Sequence, residues 1–286
     1  MYQNTPPRST IRLTRRGRLV LIATGAVVAG TAVAVPLLTL DSGDGLAEKK
    51  PTTLMIPEGW RAGQIYQAVD KALALPVGTA KKAVGKAALK LPNDAEGNPE
   101  GFLFPATYPL ELNGKKRTPE SLLSFMVNTA NKKFNGAPIA AGAQRNAMNV
   151  YQAVTIASIV QAEAATKADM GRVARVIFNR LERGMPLQMD STINYALNRS
   201  TLRTTGADTR VDSPYNSYQR MGLPPTPIDN PGEDAMRAAI SPTPGDWLYF
   251  VTVKPGDTRF TASFEEHQRN VAEFNKVQRA GAKTSG

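Results

Sequence analysis

Cysteine is absent from the 286-residue sequence, and histidine occurs once, as His267. The absence of cysteine excludes disulfides, thiolate nucleophiles and zinc sites with cysteine ligands. A single histidine excludes a histidine-rich metal site and argues against a Ser-His-Asp triad. His267 falls in the first turn of the last predicted helix, where a structural role is favoured over a catalytic one. The composition therefore excludes metal sites that depend on cysteine or on several histidines.

Acidic residues are outnumbered by basic ones, and the formal net charge is +11 at pH 7. Residues 1–18 contain no acid at all. The remaining positive charge is dispersed, without a basic stripe interleaved with aromatic residues, so a nucleic-acid partner is not predicted. A positive excess of this kind suits an anionic polymer or lipid headgroups. The basic residues of the first segment are Arg8, Arg12, Arg15, Arg16 and Arg18.

Charged residues are also missing from residues 19–40, an apolar run bounded by Arg18 and Asp41. A helix of about 20 residues, rising about 1.5 Å per residue, crosses the hydrocarbon of a bilayer. The run therefore predicts a single transmembrane helix, with residues 1–18 as a basic cytoplasmic tail and the rest of the chain outside the cytoplasm. A cleaved signal peptide is the alternative, but its apolar region is usually only about 7–15 residues long.

The short, polar residues 41–52 indicate a linker. Residues 53–91 then predict a strand over Thr53–Ile56, a break at Pro57-Glu58-Gly59 and a helix from about Arg61 to Leu75. A strand, a turn and a helix in this order match a small wall-binding module in outline. The later predictions are a helix over Pro119–Phe134, a loop over Gly136–Gln144, a short helix over Pro231–Ile240 and a strand over Trp247–Val253 followed by a hairpin turn.

The segment Tyr151–Ala164 is apolar nearly all round, a pattern typical of a buried helix. At about 100° per residue, Glu163 shares a face with Ile156 and Ile159, whereas Gln161 lies on the opposite side. Burial beside aliphatic groups raises the pKa of a carboxyl group, which suits a general acid that works near neutral pH. The alternative is that Glu163 faces water at a frayed helix end, and the helix pattern alone slightly favours that alternative.

Polar residues that follow this helix are candidates for ligand binding. Gln188 and Asp190 alternate with apolar residues and point the same way in an extended chain, although Asp190 equally fits the cap of a helix over Ser191–Leu197. Tyr215 and Asn216 lie in a long loop, where aromatic rings and amides suit sugars but also suit a packed turn. The intervening helix, predicted over Asp169–Arg183, carries arginines assigned mostly to its solvated face, with contact of one of them to a substrate carboxylate as the alternative: Arg172, Arg175, Arg180 and Arg183.

Seven segments, taken in order and spacing, resemble the YceG-like family of endolytic murein transglycosylases. They cover nearly all of the predicted exterior domain, and their combination is highly specific. The segments are Ile56-Pro57-Glu58-Gly59, Glu100-Gly101-Phe102-Leu103-Phe104-Pro105-Ala106-Thr107-Tyr108, Ala157-Ser158-Ile159-Val160-Gln161-Ala162-Glu163, Phe178-Asn179-Arg180-Leu181, Gly184-Met185-Pro186-Leu187-Gln188-Met189-Asp190-Ser191-Thr192, Ser213-Pro214-Tyr215-Asn216-Ser217-Tyr218 and Gly222-Leu223-Pro224-Pro225.

The resemblance implies an α+β fold: a catalytic domain over residues 92–286, preceded by a LysM-like subdomain over residues 53–91, on a single N-terminal anchor. It also implies endolytic, non-hydrolytic cleavage between N-acetylmuramic acid and N-acetylglucosamine in nascent glycan strands, which leaves anhydro-muramic ends and terminates elongation. The implied partners are peptidoglycan strands, the cytoplasmic membrane and peptidoglycan synthases.

The resemblance also singles out an acid. Many family members carry glutamates at the positions of both Gln161 and Glu163, and only the second is present here. Glu163 is therefore the expected acid/base, and no metal or organic cofactor is implied. Residues expected to orient the sugar or Glu163 are Gln188, Asp190, Tyr215 and Asn216.

Two other functions remain open at this point. The first is a non-catalytic, membrane-anchored scaffold that binds the wall and recruits peptidoglycan synthases. The second is a hydrolase with two carboxyl groups, which pairs Glu163 with Asp190 or Glu100.

Overall fold

Helices dominate the structure, a computed structural model that describes residues 52–200 and 204–284. The predicted tail over residues 1–18, the predicted transmembrane helix over residues 19–40 and nearly all of the predicted linker over residues 41–52 lie outside the described residues. Among the helices that are described, none has both the length and the apolar character needed to cross a bilayer.

Several helices begin where the sequence supplies a polar cap or a proline. Thr118, for example, accepts a hydrogen bond from the Ser121 N–H through its side chain, and Pro119 occupies the first helical position. In chain order the helices are α1 (Ala62–Leu73), α2 (Thr79–Ala83), α3 (Pro119–Phe134), α4 (Ala137–Arg145), α5 (Val150–Glu163), α6 (Lys167–Glu182), α7 (Asp190–Ala196), α8 (Glu233–Ile240) and α9 (Phe264–Thr284).

In the part of the chain that the structure describes, the strands form only two-stranded antiparallel sheets. The combination of helices and small sheets confirms the coarse α+β class. The pairs are β1 (Thr53–Met55) with β2 (Thr107–Pro109), β3 (Glu111–Leu112) with β4 (Lys115–Lys116), and β5 (Tyr249–Lys254) with β6 (Asp257–Thr261).

The first sheet joins two predicted regions. Strand β1 lies in residues 53–91, whereas its partner β2 lies in residues 92–286, and the Ile56 N–H continues the pairing by donating to the Ala106 carbonyl at 2.9 Å. The segment predicted to be LysM-like therefore shares backbone hydrogen bonds with the segment that follows it. Its LysM-like character stays a prediction.

The helix α3 confirms the prediction over Pro119–Phe134, but the loop predicted over Gly136–Gln144 is wrong. This stretch forms α4, which packs against α8. A side chain at Gly142 would approach Ile240 atoms to 2.7 Å. Gly142 weakens the helix propensity of α4, yet it permits the close approach of α8, and this tertiary contact is absent from the local sequence pattern.

Helix α5 lies at the centre of the hydrophobic core and packs against α6, α7 and α8. Its residues from Ala153 to Val160 are all buried, which confirms the prediction of a buried helix. Ile156 and Ile159 have no exposed surface, and burial of each such side chain contributes about 1.5–3 kcal/mol. The helix that ends at Glu163 is therefore rigidly placed by its surroundings.

Polar groups on α5 are satisfied locally. Asn149 forms a capping box with Gln152 at the start of the helix. The Ser158 hydroxyl donates to the Thr155 carbonyl at 2.8 Å and accepts the Ile228 N–H at 3.0 Å. This second bond fixes the loop that precedes α8 against the buried helix, so α5 organises the residues on both sides of its last turn.

Candidate active site

The Glu163 side chain closes α5 and meets the first turn of α7. The Ser191 N–H donates a 3.0 Å hydrogen bond to Glu163 Oε1. The residue is partly exposed, and its carboxyl group is held by this hydrogen bond rather than projecting freely into solvent. The geometry therefore differs from the alternative in which Glu163 points to water at a frayed helix end.

Burial raises the pKa of Glu163 above its ordinary value. The Ser191 N–H and the nearby Ser191 hydroxyl oppose this effect, because they favour the charged carboxylate. The negative charge of Asp190 acts in the same direction as burial and raises the pKa further. The result is a carboxyl group that keeps its proton at higher pH than an exposed glutamate and can still be stabilised once it has lost the proton.

Asp190 occupies the first position of α7, next to the residue that binds Glu163. Its Oδ1 accepts a 2.5 Å hydrogen bond from the Tyr218 hydroxyl. Burial and the neighbouring Asp190 and Glu163 carboxyl groups raise the pKa of Tyr218, so the phenol stays protonated and remains a donor. Tyr218 was quoted in the sequence motif but was not among the predicted site residues. Its contact with Asp190 depends on a loop 28 residues further along the chain.

Gln188 lies two residues before Asp190 and is exposed. Its backbone adopts a positive φ of 53°, and its Oε1 accepts a hydrogen bond from Arg180 Nη1 at 3.1 Å. The backbone is therefore not extended at Gln188, although Leu187 and Met189 are buried and Gln188 is exposed, as the alternation predicted. The structure places its side chain toward Arg180, while Asp190 turns toward Tyr218.

Arg180 itself corrects the assignment of the α6 arginines to a solvated face, because its exposed fraction is only 5%. Its guanidinium donates to the carbonyls of Leu187 and Leu248, both at 2.7 Å, and lies 5.2 Å from the centre of the Tyr249 ring. A buried cation thus ties the segment that leads into α7 to the C-terminal hairpin.

Tyr215 and Asn216, the two predicted site residues in the loop, make different kinds of contact. The Tyr215 hydroxyl is hydrogen-bonded to Thr226 Oγ1 at 2.9 Å, and its ring centroid lies 4.9 Å from that of Tyr195. Asn216 is fully buried, and its amide nitrogen donates to the carbonyls of Thr209 and Val211. Asn216 thereby shapes the loop from within, whereas Tyr215 remains partly exposed at its surface.

Glu100 belongs to a second acidic group, beside the other end of α7. Its Oε1 accepts the Ala62 N–H at 2.9 Å and Asn230 Nδ2 at 3.0 Å, and its Oε2 accepts the Tyr195 hydroxyl at 3.3 Å. Burial raises the pKa of Glu100 to about 7. Asp229 lies nearby, and burial together with the Glu100 charge raises its pKa well above the ordinary value.

Gln161 confirms the helical-wheel expectation that it leaves α5 on a different side from Glu163. Its Oε1 accepts the Gly232 N–H at 3.0 Å, at the start of α8, while Glu163 binds the start of α7. A residue at position 161 therefore contacts a different element from the one that holds the Glu163 carboxyl group.

Comparison with known proteins identifies the family. A model described as the YceG-like family matches residues 30–273. The chain belongs to the YceG-like family. Within this family it is similar to a protein named endolytic murein transglycosylase from Streptococcus pneumoniae, at 36% identity over 77% of this chain and 44% of that protein.

Another relative with the same name, from Bacillus subtilis, is 37% identical over 59% of this chain and 46% of its own length. This YceG-like chain therefore spans less than half the length of these relatives. A crystal structure of a yceG-like protein from Listeria monocytogenes is similar in fold, with a TM-score of 0.66 at 31% identity over 77% of this chain and 75% of that one.

His267 has a packing role in this YceG-like structure. Its ring stacks on Tyr249 with centroids 5.0 Å apart, in the first turn of α9. Burial and the nearby Arg180 charge lower its pKa, so the neutral ring is favoured. Among the described residues, no group of three or more histidine, aspartate or glutamate side chains is arranged to hold a metal ion.

Proposed function

We propose that this chain is an endolytic lytic transglycosylase that cuts the glycan strands of peptidoglycan and leaves anhydro-muramic ends. The observation that carries the proposal is the Glu163 carboxyl group, which ends a buried helix, has a raised pKa and accepts the Ser191 N–H. The names of the S. pneumoniae and B. subtilis relatives support it. The cleaved bond joins N-acetylmuramic acid to N-acetylglucosamine, as the family resemblance implies.

In the proposed reaction, protonated Glu163 donates its proton to the glycosidic oxygen, and the bond from that oxygen to the anomeric carbon breaks. The anomeric carbon gains oxocarbenium character, assisted by the N-acetyl group of the muramic acid. The Glu163 carboxylate then takes the proton of the primary hydroxyl of the same sugar, and that oxygen closes the anhydro ring. Water is not a reactant, and the attached nucleophile gives a large proximity advantage.

The neighbours of Glu163 support both halves of this cycle. Burial and the Asp190 charge favour the protonated form that begins the reaction. The Ser191 N–H stabilises the carboxylate that forms next, and a hydrogen bond to a charged group contributes about 1.5–3 kcal/mol. Asp190 also supplies negative charge close to the positive charge that develops on the sugar.

The proposed cellular setting follows the sequence. We expect residues 19–40 to anchor the chain as a single-pass protein, with residues 1–18 in the cytoplasm and the catalytic part outside. Residues 53–91 would act as a LysM-like subdomain, and peptidoglycan synthases are the expected partners. Cleavage that terminates a glycan strand would then occur at the membrane, where the strands are synthesised.

The test of the activity is the Glu163→Gln variant of the full chain, assayed on uncrosslinked glycan strands by mass spectrometry of the products. The wild type should produce anhydro-muramic ends, and the variant should lose them by at least about a hundredfold, the usual contribution of acid–base catalysis. Wild-type amounts from the variant would remove Glu163 from the mechanism.

The same experiment separates the two alternatives. A hydrolase that pairs Glu163 with Asp190 would give products heavier by one water molecule, and the proximity of the two carboxyl groups is the observation that favours this candidate. A scaffold would bind strands and produce no new ends with either the wild type or the variant.

A further inference from the structure

Helix α7 is held at both ends by residues that are distant in sequence. Its seven residues extend about 10 Å, at about 1.5 Å per residue. At the N-terminal end, Ser191 binds Glu163, as described above. At the C-terminal end, the carbonyls of the last turn carry partial negative charge. This second end is where Arg61 binds.

The Arg61 guanidinium donates from two nitrogens to the chain at that end. Its Nη1 lies 3.3 Å from the Asn194 carbonyl oxygen, and its Nη2 lies 3.0 Å from the Arg199 carbonyl oxygen. The same group stacks over the Tyr195 ring, 5.2 Å from the ring centre. A planar guanidinium can make these three contacts at once, which a lysine ammonium cannot do.

Arg61 is itself firmly placed. The next residue, Ala62, donates its N–H to Glu100, and the Tyr195 ring under the guanidinium donates its hydroxyl to the other oxygen of the same carboxyl group. The charges of Glu100 and Asp229 favour the cation, against a burial effect that lowers the pKa of Arg61. The start of α1 is thereby linked to the end of α7 through hydrogen bonds.

We propose that Arg61 is a positioning residue for Glu163 that acts through α7: by holding the Asn194 carbonyl in the last turn of this helix and the Arg199 carbonyl in the segment that follows it, Arg61 keeps the Ser191 N–H against the Glu163 carboxyl group. Because α7 is a single short helix, a shift at one end is transmitted to the other. Glu163 is the catalytic acid only under the proposed function, whereas the mechanical link from Arg61 to Glu163 stands on the geometry of α7.

The groups that face Glu163 determine whether loss of the Arg61 contacts raises or lowers the pKa of Glu163. The contacts with Ser191 lower its pKa, and the Asp190 charge raises it by less. Tyr218 holds the Asp190 side chain from the opposite loop, whereas the Ser191 N–H is part of the α7 backbone and moves with the helix. Loosening of α7 should therefore remove the Ser191 effect first and raise the pKa of Glu163 further.

The experiment compares Arg61→Gln with the wild type in the full chain, by titration of carbon-13-labelled glutamate carboxyl groups, with Glu163→Gln used to assign the signal. The Glu163 signal should titrate at higher pH in Arg61→Gln. The production of anhydro ends should fall about tenfold, the effect of losing about 1.4 kcal/mol of stabilisation, and its basic limb should move to higher pH. A purely structural loss lowers the rate at every pH without moving that limb.

Arg237→Gln serves as the matched control, because Arg237 is an exposed arginine paired with Asp234, and its Glu163 titration should equal that of the wild type. Arg61→Lys keeps the cation but not the contact with both carbonyls. If Arg61→Gln does not unfold cooperatively, the Glu163 titration is measured in Arg61→Lys instead, and it should again shift to higher pH. An unchanged Glu163 titration in the folded variant overturns the proposal. The titration does not depend on activity, so it remains informative even if the proposed function fails.

Discussion

The Tyr218 hydroxyl and Asp190 Oδ1 are joined by a 2.5 Å hydrogen bond, and Asp190 directly precedes the residue whose N–H binds Glu163. The phenol therefore fixes a negative charge next to the candidate acid. This relationship connects a loop, a helix start and the end of a buried helix in one small network, and it gives two predictions for the reaction.

The first prediction concerns the charge of Asp190. Because that charge raises the pKa of Glu163, the Asp190→Asn variant should have a lower Glu163 pKa than the wild type. A general acid loses activity as pH rises through its pKa, so the basic limb of the pH–rate profile should move to lower pH. The profile is measured from the rate of formation of anhydro ends.

The matched control for Asp190→Asn is Asp212→Asn, which removes the same charge from an exposed side chain. Its profile should coincide with that of the wild type. A basic limb that stays in place in Asp190→Asn would show that Asp190 does not set the protonation of Glu163.

The second prediction tests whether Tyr218 acts through Asp190. Tyr218→Phe should lower the rate of formation of anhydro ends about tenfold. A hydrogen bond to a charged group contributes about 1.5–3 kcal/mol, and only part of this energy stabilises the transition state. In the Asp190→Asn background, the same Tyr218→Phe change should have little further effect, because the two residues form one unit. Additive losses in the double variant would contradict this coupling.

The third prediction uses two helical glycines. Gly142→Ala in α4 should destabilise the fold by about 1–3 kcal/mol, the cost of overpacking, because the new methyl group would meet Ile240 at 2.7 Å. Gly63→Ala in α1 meets no atom within 4 Å, and it should stabilise the fold by about 0.4–1 kcal/mol. Urea unfolding measures both, and equal effects of the two changes would argue against the close α4–α8 contact.

The fourth prediction concerns stability and pH. The pKa of Glu100 is raised from 4.5 to about 7 in the folded protein, so the folded state binds more protons than the unfolded state between these values. The free energy of unfolding should therefore fall as pH rises from about 4.5 to 7. Glu100 should account for up to about 3 kcal/mol of this fall, at about 1.4 kcal/mol per pH unit.

Glu100→Gln should flatten this pH dependence in urea unfolding experiments, without abolishing it, because Asp229 and Glu163 also have raised pKa values. Glu111→Gln, a change at an exposed glutamate, should leave the slope unaltered. A slope in Glu100→Gln equal to that of the wild type would mean that Glu100 titrates normally in the folded state.

The sequence was most informative where function depends on a single helix. The apolar periodicity of α5 predicted both its burial and the separation of Glu163 from Gln161, because these properties follow from helical geometry alone. The helix pattern alone slightly favoured a Glu163 side chain that faces water. The resemblance to the YceG-like family then favoured Glu163 as the catalytic acid. The family assignment is confirmed by the match over residues 30–273.

Contacts between distant segments could not be predicted in this way. Arg180 has the helical spacing of an exposed residue, and it is buried by contacts with two distant segments, the one that leads into α7 and the C-terminal hairpin. The helix α4 was missed because its glycine and proline content is typical of a loop, while its stability comes from packing on α8. The Arg61 contacts join residues more than 130 positions apart, so no local pattern records them.

The pairing of β1 with β2 limits how this protein can be divided. A fragment that begins at residue 92 would lose the strand that completes the first sheet and, in the same cut, the guanidinium that caps the end of α7. Such a fragment should contain Glu163 but should not hold its carboxyl group in the position seen here. A truncated form of the protein therefore needs to include residues 53–91.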